Sequence, residues 1–240
     1  MASDREHWSR VAAEWIAWAR KPNHDAFWAY RSALLDFIGR GEGEALDVGC
    51  GEGRVSSVLT SCGYRVTAVD PVRELVGAAR EAGSAHGYAV ATATGLPFAG
   101  GSFDVAVAYN VLMDIDDMSA ALKEIARVLR PEGTLFVSIV HPVADCGRFE
   151  SSDLESRFVI ENPYFGRRRF EGVEERDGLR MRFAGWSQPL EAYAAALESA
   201  WLAIVSLREL VPDIAKGGAH LAHWSRIPLF LWLKVRPLSF

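Results

Sequence analysis

Cysteine is scarce. Cys50, Cys62 and Cys146 form no C-x-x-C pair and leave an odd thiol, which excludes a disulfide framework and a structural zinc site of the usual spacing. A basic surplus is missing too. Twenty-six Lys and Arg against 31 Asp and Glu leave a net charge of -5, short of the phosphate-neutralising excess of a dedicated nucleic-acid binder. No uncharged run approaches the roughly 18 to 20 residues needed to cross a bilayer. The opening MASDREHWSRVAAEW carries charge where a signal peptide needs an apolar core. These absences predict a cytoplasmic protein with no membrane partner, count against a nucleic-acid partner, and leave its oligomeric state open. The chain's 240 residues, 50% hydrophobic and 24% charged, are enough to bury a full core in a single domain.

From Ser3 to Arg40, apolar residues recur at helical spacing around a Lys21-Pro22-Asn23 break, so two helices are predicted. The pattern then changes to short Val- and Ala-rich runs separated by helical stretches. The runs are residues 45–50, 64–70, 88–93, 103–112 and 133–140, with helices over 53–62, 72–82 and 118–129. Such runs suit parallel strands buried on both faces, and their alternation with helices predicts a doubly wound α/β sheet. Residues 142–186 are polar and read as an insertion on the substrate side, a candidate lid. Pro189 then opens a helix, and WLAIVSLREL and IPLFLWLKVR read as closing strands that pair antiparallel. The single domain thus divides into a helical cover (1–40), a core (44–141), the insertion (142–186) and the closing helix and strands (187–240).

The sharpest signal is Asp47-Val48-Gly49-Cys50-Gly51-Glu52-Gly53, at the end of the first strand and ahead of a helix, with Asp70 ending the second strand. Glycines there let a ligand approach the backbone and permit positive φ. Asp70 stands where a carboxylate accepts hydrogen bonds from ribose hydroxyls. A dinucleotide fingerprint fails, because its third glycine falls on Arg54. Asp47 repels a pyrophosphate and attracts an ammonium or sulfonium, charges that S-adenosylmethionine carries.

The segments ALDVGCGEGR, YRVTAVDPV, LPFAGGSFDVAVAYNVL and LKEIARVLRPEGTLFVS, in this order over residues 44–140, resemble the class I S-adenosylmethionine-dependent methyltransferases. The resemblance implies a seven-stranded sheet of order 3-2-1-4-5-7-6 with its last strand reversed. It implies methyl transfer, with S-adenosylhomocysteine as product. It places Asp47, Gly49, Cys50 and Gly51 around the methionine part, with Asp47 near its amino group. Asp70 takes the ribose, Pro71 flanks the adenine, and Tyr109 and Asn110 face the sulfonium. Where many relatives carry Asp-Ala to bind the adenine amino group, this chain has Thr92-Ala93, and a hydroxyl accepts that bond without charge assistance.

Ligands of such sheets bind outside the carboxyl ends of the strands, which makes His141 a candidate general base or substrate-positioning group. Tyr164 and Trp186, with the tryptophans of the first helix, are candidates to wall a substrate pocket. No metal site is expected: Asp116 and Asp117 read as a helix cap and first-turn acids. The acceptor is expected to be a small metabolite, methylated on O or N and less readily on C. A tRNA-base methyltransferase, with Arg167, Arg168 and Arg169 beside the pocket, is one alternative. A protein that binds S-adenosylmethionine without transfer is another.

Overall fold

Residues 4–151 and 153–238 are described by a computed structural model; Ser3, where the first helical stretch was expected to begin, lies outside them. Helices α1 (Asp4–Arg20) and α2 (Ala26–Ile38) part at the expected break. The alternating region follows as β1 (Glu44–Val48), α3 (Arg54–Ser61), β2 (Arg65–Asp70), α4 (Arg73–Glu81), β3 (Gly87–Val90), β4 (Phe103–Tyr109), α5 (Met118–Val128) and β5 (Leu129–Val140). Strand β3 is shorter than its apolar run, because residues 91–93 leave the sheet.

The insertion contains more structure than its polarity suggested. It holds an antiparallel pair, β6 (Gly147–Phe149) with β7 (Phe158–Ile160), and a long hairpin, β8 (Arg168–Arg176) with β9 (Leu179–Ser187). Helix α6 (Leu190–Ser199), capped by Pro189, leads to β10 (Leu202–Glu209), the short α7 (Ile214–Gly217) and β11 (Phe230–Pro237). Strand β11 lies between β5 and β10 and runs antiparallel to both. The sheet order β10-β11-β5-β4-β1-β2-β3 is the expected one.

Successive strand residues point to opposite faces, and here both faces are covered. Leu46, Leu231, Leu233 and Val235 pack toward α5 and α6, where Leu122, Ile125 and Leu197 are buried. Ala45, Phe230 and Trp232 pack toward α2 and α3, against Phe27, Tyr30, Leu34 and Val58. Helix α1 lies apart from these layers. Its Trp8, Trp15 and Ile16 meet Val72 and Leu75, while Val11 and Trp18 meet Met181 of β9. It therefore bridges α4 and the hairpin, over the carboxyl ends of the strands.

Candidate active site

The β1–α3 turn is pinned to the neighbouring strand: the Gly49 and Cys50 N–H groups donate to the Val69 carbonyl at 2.8 and 2.9 Å. Gly49 (φ +70°) and Gly51 (φ +55°) occupy the left-handed region, and a Cβ on Gly51 would stand 3.0 Å from Trp15 Nε1. Both positions thus require glycine. The Asp70 carboxylate accepts from Gly51 N at 3.1 Å and Val72 N at 2.9 Å. Burial outweighs these two bonds and pushes its carboxyl up to about 6.

In front of this turn lies one cavity of about 750 Å³. Gly49, Cys50, Gly51, Asp70, Pro71, Thr92, Ala93, Tyr109 and Asn110, all singled out in the sequence, belong to its wall. Asn110 is held at φ +52°, its Oδ1 accepting from the Ser138 hydroxyl at 2.6 Å. Asp47 is absent from the wall. It is buried behind the turn and accepts from the Ser56 hydroxyl at 2.6 Å, and burial raises its carboxyl to about 7. Its place is thus off the cavity wall, tied to α3.

His141, Tyr164 and Trp186 are not wall residues either. The strand's two-residue period puts Val140 on the wall and turns His141 away. There its Nδ1 accepts from Val143 N at 3.2 Å and its Nε2 lies 3.1 Å from Glu209 Oε1. Burial draws its pKa down against the opposing pull of Glu209. The Tyr164 hydroxyl accepts from Leu190 N at 3.3 Å. Trp186 Nε1 donates to Asp4 Oδ2 at 3.1 Å and Asp116 Oδ1 at 3.3 Å. These three side chains fasten neighbouring elements to one another. Asp117 caps α5, its Oδ1 accepting from Ala120 N at 2.9 Å.

The rest of the wall comes from segments far apart in sequence. Nine acidic side chains line it (Asp4, Asp25, Glu52, Asp70, Asp114, Asp116, Asp117, Asp145 and Glu174), against three basic ones (Arg5, Arg54 and Arg176). The Arg54 guanidinium is sandwiched between Trp15 and Phe27, 4.7 and 4.6 Å from their ring centres. It donates to Asp25 Oδ2 at 2.5 Å and lies 3.6 Å from Glu52 Oε1. Asp25 Oδ1, Glu52 Oε1 and the Tyr109 hydroxyl are buried and have no hydrogen-bond partner. Trp8, Trp15 and Trp18 close the cavity from above. Of all these residues, the sequence had marked Asp70, Tyr109 and the tryptophans. Arg54 had a readable signal, a charged side chain opening an otherwise uncharged helix.

Residues 46–137 match a protein family described as a methyltransferase domain. This is the segment that holds the glycine turn, Asp70 and Asn110. A ubiquinone biosynthesis O-methyltransferase of Xanthomonas oryzae pv. oryzae is 37% identical to this chain over 117 residues, 47% of the chain and 48% of that protein. The O-methyltransferase resE of Aspergillus sclerotiorum is 38% identical over 109 residues, 42% of the chain and 41% of that protein. The chain thus spans about half the length of the curated relatives it matches. An S-adenosylmethionine-dependent methyltransferase structure from Mesorhizobium loti covers 87% of the chain and 97% of its own, with TM-score 0.68 and 24% identity, and shares the fold of this chain.

The site fits S-adenosylmethionine. Its excess of acids, with orphaned carboxylate oxygens on Asp25 and Glu52, suits a ligand of positive charge. Asp70 is the group that would hold the ribose, with the Gly49–Gly51 turn beside the methionine part.

Proposed function

We propose that this chain transfers a methyl group from S-adenosylmethionine to an oxygen or nitrogen of a small-molecule acceptor. One observation carries this reading: a single cavity joins the glycine turn and Asp70 to a wall built by α1, the β8–β9 hairpin and the residues after β4 and β5. Its volume of about 750 Å³ lies within the roughly 300 to 1,000 Å³ of small-ligand sites. When bound, S-adenosylmethionine supplies an electrophilic methyl group on a positively charged sulfur. The protein's part is to bind, orient and exclude water, which the cover of tryptophans accomplishes without a catalytic triad.

The arginine run counts against a tRNA substrate, since all three side chains are engaged within the chain. Arg167 stacks on Trp186 at 3.9 Å and donates to the Asp116 carbonyl at 2.8 Å. Arg168 donates to the Asp145 carbonyl at 3.1 Å, and Arg169 pairs with Asp4.

Titration calorimetry with S-adenosylhomocysteine tests the cofactor half. The wild type is expected to bind. Asp70→Ala should lose about 1.5 to 3 kcal/mol of affinity for each charged hydrogen bond removed. It should also lower the melting temperature of the free protein, because the Gly51 and Val72 N–H groups lose their acceptor. An unliganded wild type, or an Asp70→Ala variant with full affinity, sinks the assignment of this turn as the cofactor site.

A further inference from the structure

We infer that the acceptor of this chain carries a cationic ammonium group, which the carboxylates of Asp114 and Asp145 hold inside the cavity. The inference rests on the function proposed above and narrows it to a substrate class.

Several of the cavity's acids already have partners. Asp4 is paired with Arg169, Asp25 with Arg54, and Asp70 and Asp117 accept backbone N–H groups. Asp114 and Asp145 stand differently. Both line the cavity, and among the described residues no hydrogen bond or ion pair reaches either carboxylate.

Asp114 follows β4 and Asp145 follows β5, so both lie beyond strands at the carboxyl edge where ligands of such sheets bind. They are coupled to each other and to Asp4, with Arg169 opposing. Arg168 is the cation that acts on Asp145, and its Nη2 is spent on the Asp145 main-chain carbonyl. Burial dominates both groups, raising Asp145 to about 7 and Asp114 well above the usual carboxylate range. Two half-buried carboxyls on the cavity wall that lack a donor are stabilised by a ligand that brings both N–H groups and positive charge.

A second observation points the same way. Asp25 and Glu52, 9% and 4% exposed, belong to the same wall, and each keeps one carboxylate oxygen with no partner. The paired acids thus still leave acceptor atoms over, so the cavity offers acceptors in excess of donors throughout. Phe170 and Phe183 give it aromatic faces, which also favour a cation. A carboxylate acceptor would meet repulsion from Asp114 and Asp145, and an alcohol would satisfy the hydrogen bonds but not the charge.

The test uses the full chain saturated with S-adenosylhomocysteine, above pH 7, where Asp145 is ionised and a bound cation draws the raised Asp114 carboxyl back toward ionisation. Three probes with one skeleton are titrated by calorimetry: 2-phenylethylamine, 2-phenylethanol and phenylacetate. The amine is expected to bind at least about tenfold tighter than the alcohol, with phenylacetate weakest. Asp114→Asn and Asp145→Asn should each weaken the amine about tenfold while leaving the alcohol and S-adenosylhomocysteine affinities in place. The melting temperature of each variant reports that it is folded. An amine that binds no better than the alcohol, complete absence of binding included, overturns the inference. So does full amine affinity in both variants. Failure of S-adenosylhomocysteine to bind the wild type is a separate result, and it overturns the function proposed above.

Discussion

The sheet and its cover are held together by different physics. In the sheet, Leu46, Ala106, Leu135 and Leu233 have no measurable exposure, and stabilisation comes from apolar area removed from water on both faces. The cover, α1 with the β8–β9 hairpin, has two small apolar seams, Val11 and Trp18 on Met181 within it and Ala12 on Val72 and Leu75 against α4. Around those seams it is fastened by polar clips. Arg182 Nη2 donates to Glu14 at 2.5 Å, and Lys21 Nζ lies 3.4 Å and His24 Nδ1 3.2 Å from Asp177 Oδ2. Pairs with an exposed partner, as Asp177 and Arg182 are here, contribute little. The sheet that carries the glycine turn is therefore expected to be the more stable part and the cover the less stable one.

The largest effect that sharpens this contrast is expected on the sheet. Trp232 is 1% exposed between α2 and β5, and Trp232→Ala should cost about 3 to 5 kcal/mol of global stability, read from denaturant unfolding. A loss below about 1 kcal/mol would mean that the sheet is not the stable part.

A smaller and local effect is expected on the cover. Asp177→Ala removes the clip to Lys21 and His24 and should leave the global melting temperature in place while hydrogen exchange in residues 168–187 rises several-fold. Bound S-adenosylhomocysteine and amine should reverse that rise. Equal protection of hairpin and sheet, in free and bound protein alike, breaks the comparison and makes the cover a rigid part of the fold.

The smallest effect is on pH dependence. Asp47 and Asp145 titrate near 7 and Asp70 near 6 in the folded chain, each raised from 3.8. A raised acid pKa contributes stability that is full below the unfolded value and is lost as pH rises through the folded one. The lowered His7, His141 and His220 act in the opposite sense, losing stability as pH falls below 6.5. The free protein should therefore gain on the order of 1 kcal/mol between pH 8 and about 6.5 and level off below. A melting temperature that rises steadily from pH 6 to 8 contradicts these burial effects.

The sheet was legible because its strands are apolar on both faces, a pattern few other elements produce. The hairpin was not. Residues of β8 such as Glu171, Glu174 and Glu175 are exposed, so the strand shows no apolar alternation and reads as loop. At the site, the glycine turn and Asp70 were legible from their spacing, since a backbone conformation leaves its mark on sequence, whereas Pro71, Thr92, Tyr109 and Asn110 came from the resemblance. The far wall was not legible in the same way, because Asp4, Asp25, Asp145 and Arg176 converge only through tertiary structure. Chain position at a strand end does not reveal that His141 turns away from the cavity.

Strand β10 meets the sheet only through β11. Synthesis therefore makes the receiving strand after the strand it must receive, and until residues 230–237 emerge the backbone of β10 has no strand to pair with. Order of assembly at this end of the molecule is the reverse of order of translation. Loss of the final strand removes two strands from the sheet, so the edge closes in one late step or not at all.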